Sequence, residues 1–375
     1  MLPQAPLWLI LIAFICMLGP LVFFHEFGHY FVARLFRIPA EAFSIGFGRE
    51  LVGWTDKQGT RWKIAWLPLG GYVRFVGDMS PASDPGDLEK IPPELRDRAF
   101  QVRPVWQRFL VVLAGPAANF LLAIIIFAAF FATVGARTTN VVGAVKPNSA
   151  AAQAGLLPGD KILSVAGKST PTFDDIRAVV VFRAGEAVPM EVQRSGQTRQ
   201  VQVRLKAEED TDTLGNKFRR GVLGVYPTDA EPQRLPVTQA LPLAVRYTAN
   251  MTRSIMDGLI QLVRGRVSPR QLGGPITIAR VAGQGAELGA LPFVQLLALF
   301  SINLGFINLL PVPMLDGGHL FFYAVEAVRR RPISARALDW AFRGGLAVIL
   351  TLLLFTTIND LASLGLWDGL QRLIG

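Results

Sequence analysis

Charge and reactive side chains are scarce in this chain. Of its 375 residues only 18% are Asp, Glu, Lys or Arg, three are histidine and one is cysteine. The lone Cys16 excludes a disulfide within the chain, so any soluble part must be held by its own core. Charge is missing altogether from Leu7–Phe24 and Phe109–Val134. No basic residue precedes the first apolar run, and a polar motif follows it directly, so that run is read as a retained span and not as a cleaved leader. No nucleic-acid motif accompanies the net charge of +10, so the basic balance is not read as a nucleic-acid footprint.

What the chain has in quantity is apolar residues, at 51%, with a mean hydropathy of +0.37. Long apolar runs flank a middle third of ordinary globular composition. That pattern implies a polytopic α-helical membrane protein with a soluble insertion. Four spans are expected: Leu7–Leu35, Phe109–Val134, Phe293–Val328 and Trp340–Thr356. Basic residues gather in 36–104 (Arg37, Arg49, Lys57, Arg61 and Lys63 among them) and in 329–339 (Arg329, Arg330, Arg331, Arg336). Both loops are therefore placed in the cytoplasm, which puts 135–290 and both termini outside. The expected layout is a first span in 1–35, a cytoplasmic loop in 36–104 and a second span in 105–135. A soluble α/β unit in 136–206 follows, then a linker and an external amphipathic-helix region in 207–290. A third segment in 291–328 leads to a cytoplasmic loop, fourth span and tail in 329–375.

In the soluble unit, apolar–polar alternation predicts strands at Val141–Val145, Lys161–Ala166, Val188–Gln193 and Gln200–Leu205, with helices at Ser149–Ala154 and Thr172–Val181. Gly155, Leu156, Gly159 and Asp160 open a Gly-Leu-x-x-Gly-Asp-x-Ile-x-x-Val-x-Gly pattern that ends at Gly167. The pattern resembles a PDZ domain, a module that takes a peptide tail by strand addition. The alternative is a small sandwich with no ligand. Leu241–Val263 reads as an amphipathic helix that lies on the membrane or packs under the PDZ-like unit. Arg61–Phe75 alternates aromatic and polar residues around Gly70-Gly71. It is read as a membrane-associated β-hairpin that either accepts an unwound substrate strand or rests on headgroups.

All three histidines lie in motifs beside apolar runs. His25-Glu26-Phe27-Gly28-His29 puts two imidazoles one helical turn apart on one face, a spacing suited to zinc, with Glu26 off that face as general base. Ionisable groups at membrane depth are costly and mark function by default. A third ligand must come from elsewhere. Asp316 is the best candidate, because Pro311 and Pro313 break the helix before it, and irregular backbone in a membrane must be buried or line a wet cavity. His319 and Glu326 are the other ionisable groups of that segment, and His319 reads as a satisfied interior histidine. Asn308 and Asn119 are candidates for contact with a substrate carbonyl or oxyanion. For Asn119, within Gly115-Pro116-Ala117-Ala118-Asn119-Phe120, a helix-packing hydrogen bond is the equal alternative.

Taken together, HEFGH at 25–29, GPAANF at 115–120, the PDZ-like unit, LGGPITIA at 272–279 and NLLPVPMLDGGH at 308–319 resemble the site-2 protease family. The bacterial regulator-of-sigma-E type is the nearest likeness. The resemblance implies a metalloendopeptidase with one Zn2+ on His25, His29 and Asp316 and with Glu26 as base. It implies cleavage in or near the transmembrane segment of a single-pass protein, such as an anti-sigma factor already shortened by another protease, or of a signal-peptide remnant. It also implies lipid contact, residence in the bacterial inner membrane and a periplasmic PDZ-like unit. One such unit is visible, where the regulator-of-sigma-E type has two. A membrane-anchored PDZ scaffold with a dead metal site, and a metal transporter, are the competing classes. A transporter requires further ligand clusters, and the other spans carry none.

Overall fold

A computed structural model describes residues 5–77, 91–136, 139–211, 217–228, 232–265, 268–269 and 272–363. The chain forms two units, Met1–Ile126 with Gly274–Ile358, and Phe127–Gly273 with Asn359–Gly375. The tail beyond Ser363 and residues 78–90 of the expected cytoplasmic loop lie outside the described residues.

The first unit begins with helix α1, Leu7–Leu35. Its end is sharp. Arg37 takes φ 58°, its amide bonds Arg34 O at 3.0 Å, and the Ile38 amide bonds Ala33 O at 2.9 Å. These two bonds satisfy the last carbonyls of the helix, and Pro39 prevents continuation. Strands β1 (Ala40–Thr55) and β2 (Arg61–Phe75) follow. The expected hairpin within Arg61–Phe75 is corrected here. Its arms do not pair with each other, because Ala42–Ile45 lies between them and pairs with both Arg61–Ile64 and Gly71–Arg74. Val52–Thr55 adds on the far side of Arg61–Ile64. Both strands therefore bend, β1 at Gly46 and Gly48 and β2 at Gly70, all with positive φ. The turn joining them is closed by Asp56, which accepts the amides of Gln58 and Thr60. Asp56 also accepts from the Trp62 indole at 3.0 Å and from the Tyr30 hydroxyl of α1 at 3.3 Å. Phe43, Tyr30, Ile38, Phe75, Phe100 and Val111 seal the sheet onto the helices in one apolar cluster. A short helix α2 (Pro93–Arg96) and a 3-10 turn at Phe100–Val102 lead into α3, Val105–Thr133.

The second unit holds the soluble insertion: β3 (Val142–Val145), α4 (Ala150–Gln153), β4 (Lys161–Val165), β5 (Lys168–Ser169), α5 (Phe173–Val180), β6 (Ala187–Arg194) and β7 (Gln197–Arg204). All but β5, which was not expected as a strand, lie within a few residues of their expected places. Thr172 caps α5 in a reciprocal box with Asp175, which satisfies two free amides of the first turn. The stretch 207–236, expected as linker, is instead largely built. It carries most of β8 (Lys206–Thr211), then β9 (Lys217–Val222) and β10 (Val225–Pro227). β10 pairs antiparallel with β3, and Leu223 joins the core of Ile162, Val165, Met190 and Val203. Polar composition hid these strands, because β8 and β9 pair mainly with each other. Helix α6 (Val237–Val263) turns one face toward the insertion, where Asn250 donates to Asp175 at 2.6 Å and Lys168 pairs with Asp257. Its opposite face leaves Val237, Leu241, Val245, Met256, Ile260 and Val263 exposed.

Asp160 is the buried polar centre of the insertion. It accepts the Leu157 amide at 2.8 Å and two bonds from Arg194 at 2.7 Å. The Arg194 guanidinium holds its carboxyl below the usual carboxylate range. A carboxylate depressed in this way contributes stability that is complete above its ordinary pKa, about 3.9, and is lost as pH falls through the lowered one. Asp160→Asn is expected to lower the unfolding midpoint of the insertion by roughly 5 °C or more at neutral pH. The difference should shrink as acid protonates the wild type. Hydrogen exchange of the β4, β6 and β7 amides in the full chain checks both points.

The chain then returns to the first unit. α7 (Pro275–Glu287), which falls in the region expected as linker and external helix, packs along α1 with Gly283 against Ile10. The segment expected as a single third span is two helices, α8 (Ala290–Asn308) and α9 (Asp316–Arg329), separated by the Pro-containing break. α10 is Ala335–Ser363. Among the described residues, four helices are long and apolar enough to cross a membrane: Leu7–Leu35, Val105–Thr133, Ala290–Asn308 and Arg336–Ala362.

Candidate metal centre

His25 and His29 sit in the second half of α1 with Nε2 atoms 3.3 Å apart. Asp316 Oδ2 lies 3.1 Å from the first and 3.5 Å from the second. This is the one gathering of three such ligand residues among the described residues. The arrangement fits a cation. His29 Nδ1 stands 2.9 Å from Val111 O, which only accepts, so the proton sits on Nδ1 and Nε2 presents a lone pair. Asp316 Oδ2 is buried and accepts no aligned hydrogen bond. Acceptor atoms buried face to face are unfavourable unless a positive charge stands among them. Two imidazoles and one carboxylate are also the donor set of catalytic zinc, with a further position left for water or substrate.

The helices come close because small residues line their crossing. A Cβ on Gly28 would strike Ala114 O and Ala118 Cβ, and one on Gly115 would overlap the His29 ring. Asp316 is the first residue of α9. The break before it is folded tightly, with Val312 N on Leu310 O at 2.7 Å, Leu315 N on Val312 O at 3.1 Å, and Met314 at φ 82°. Gly317 and Gly318 pack under the carbonyls of Leu309, Leu310 and Val312, where no side chain fits. The two glycines after Asp316 thus let the broken segment fold back and deliver the carboxylate to α1. Farther along α9, Glu326 pairs with Arg108 of α3 at 2.7 Å, and that guanidinium lies 4.9 Å from the Tyr323 ring centre.

Glu26 is half-buried. A Cβ on Gly71 would stand 3.2 Å from the Glu26 Cγ. The outer arm of β2 therefore runs beside the carboxylate. Asn119 is fully buried, with its amide 3.1 Å from His25 Nδ1. Asn308 ends α8, and its side chain makes no hydrogen bond among the described residues. His319 packs against Phe342 and Tyr323, with ring centres 5.2 and 6.4 Å away. In the insertion, Gly155 and Gly159 shape a turn with φ of 73° and 92°, Leu156 is core and Asp160 is the ion-paired centre described above. The contributions of the Val111 carbonyl and the Gly115 recess carry no sequence signal beyond the small-residue motif itself.

A paired-histidine helix with a carboxylate brought from another helix defines a metallopeptidase of the HExxH type. The profile of peptidase family M50 matches residues 13–352, and the chain belongs to that family, the site-2 proteases. A Rhizobium meliloti protein named as a zinc metalloprotease is 46% identical over 93% of this chain and 95% of its own. One from Agrobacterium fabrum is 43% identical over 94% and 96%. Metalloprotease MmpA of Caulobacter vibrioides is 38% identical over 94% and 95%. Among solved structures, the PDZ domain of an SdrC-like protein from Listeria monocytogenes covers 25% of this chain and 92% of that one, at 20% identity and TM-score 0.20. The chain is thus a zinc metalloprotease of site-2 type, and its four apolar helices fit a membrane protein.

Proposed function

We propose that this chain is an intramembrane endopeptidase that holds one zinc ion on His25, His29 and Asp316. It cuts a single-pass membrane protein within or beside its transmembrane segment. The observation that carries the reading is the convergence of those three ligands at apolar helices, with Glu26 and a strand at their side. When bound, zinc supplies a Lewis acid at the scissile carbonyl and its water. Glu26 takes the proton of the attacking water and passes it to the leaving amine. A transmembrane helix must unwind before its carbonyl is reachable. The outer arm of β2, Gly71–Phe75, pairs with a neighbour on one side only among the described residues, so an extended substrate can add to its other edge beside Glu26. Asn308, at the lip of the broken segment, is the candidate donor to the substrate carbonyl.

The substrates that suit this site are anti-sigma-like proteins already trimmed by another protease, or signal-peptide remnants. In this reading 36–104 and 329–339 face the cytoplasm of a bacterial inner membrane and the PDZ-like unit the periplasm, which the basic residues of the two loops support. β10 pairs with β3 alone among the described residues, leaving an edge suited to a peptide or substrate tail.

Purified protein in detergent should cleave a single-pass test substrate, lose that activity to a zinc chelator and regain it with zinc. Cleavage that survives complete removal of zinc would overturn the reading. Gly71→Val tests the strand. Its Cβ would lie 2.7 Å from Val22 Cγ1 and 3.2 Å from Glu26 Cγ. We expect a loss of roughly 100-fold in kcat/KM, the scale of a misplacement of about 1 Å, with zinc content unchanged. Unchanged turnover would remove β2 from the site.

A further inference from the structure

We infer that Asn119 is a positioning residue for the metal centre: its amide oxygen takes the Nδ1 proton of His25 and so keeps the Nε2 lone pair turned toward Asp316. The inference rests on the zinc reading above and concerns what holds a ligand in its binding form.

Helix α3 grips both imidazoles. Val111 O accepts from His29 Nδ1 at 2.9 Å. Two turns on, the Asn119 amide nitrogen stands 3.1 Å from His25 Nδ1. Gly115, one turn before Asn119, makes room for the His29 ring, so three successive turns of one helix face serve the two rings. Pro116 lacks the amide that would close on Val112 O, which loosens the turn beside the Val111 carbonyl. At the level of His25 the group of α3 that faces Nδ1 is the Asn119 side chain. Asn119 is fixed for this task. It is fully buried, and Ser301 of α8 donates to its backbone carbonyl at 2.8 Å.

An asparagine amide can offer either end. With its nitrogen toward Nδ1, it would donate there and force the ring proton onto Nε2, where it would block ligation. With its oxygen toward Nδ1, it accepts and leaves Nε2 free. In the structure the amide nitrogen faces Nδ1 at 3.1 Å and the buried amide oxygen has no hydrogen-bond partner; a half-turn of the amide exchanges the two ends and gives that oxygen the Nδ1 proton. Histidines that hold metals nearly always donate their second nitrogen to an acceptor of this kind. Both the burial of Asn119 and its contact on the Nδ1 side of the ring separate it from a group that touches substrate.

Zinc competition against a chromophoric chelator, run on the full chain in detergent, tests this. Asn119→Leu should weaken zinc binding by roughly 10–100-fold. Asn119→Asp, which can only accept, should stay within about threefold of wild type on the same outer-shell scale. Equal affinity of Asn119→Leu and wild type would overturn the inference, as would an Asp variant that folds but binds as weakly as Leu. Selective 15N labelling of the three histidines gives a second readout that needs no variant. The metal-free protein should show the His25 proton on Nδ1, and a proton on Nε2 would overturn the inference. This readout needs no zinc, so a wild type that binds none would sink the zinc reading while Asn119 was still tested.

Discussion

Glu26→Gln is expected to abolish peptide-bond hydrolysis while fold and zinc content stay at wild-type levels. The substitution changes one oxygen to an amide and keeps the volume. The side chain still fits against Gly71. The three converging ligand atoms belong to His25, His29 and Asp316, so the metal should be retained. What disappears is the lone pair that removes a proton from water. Loss of a positioned base costs roughly 100- to 10,000-fold. The check is cleavage of a single-pass substrate alongside zinc measured by elemental analysis. Turnover near wild type would remove Glu26 from the role of base. Loss of zinc together with activity would assign it to the ligand shell instead.

The residues proposed for this chemistry stood out in the sequence because each is costly where it stands. Two histidines and a glutamate at the end of an apolar run, and an aspartate after a doubly proline-broken one, had few readings to choose among. The helix Leu7–Leu35 was legible to the residue for a related reason, since Pro6 and Pro39 flank an apolar run that continues through Pro20. The bent sheet was not. Its strands are set by which segment lies between which, and the alternation in Arg61–Phe75 says only that a strand exists. The strands in 207–236 were missed because polar residues dominate β8 and β9, and only Leu223 and Val225 mark the return to the core. α7 was missed because its small residues, Ala282, Gly283 and Gly285, matter through what packs on them. The partners of the imidazoles were invisible for a deeper reason. A backbone carbonyl such as that of Val111 has no letter, and Gly115 serves by lacking a side chain.

That lack leads to the second large effect. Gly115→Ala adds a single methyl group and is expected to empty the metal centre. In an ordinary helix the change would stabilise by roughly 0.5–1 kcal/mol, because glycine loses more freedom on folding than alanine. If Gly115 only let two helices approach, the variant would be neutral or slightly tighter. In this structure the added Cβ overlaps the His29 ring at Nε2, Cε1 and Cδ2. The ring cannot slide aside and keep both its bond to Val111 and its place 3.3 Å from His25. It must rotate out, and two ligands remain where three are needed. Zinc affinity should fall by roughly 100-fold or more, past the upper end of what loss of an outer partner costs, and cleavage should fall with it. Gly19→Ala in α1 is the matched control. Nothing lies within 4 Å of its added Cβ, so the same helix-propensity gain is made with no ring in the way. A Gly115→Ala protein that folds, binds zinc like wild type and still cleaves would show that His29 has room to move. It would also show that the ring is held by the metal more than by α3.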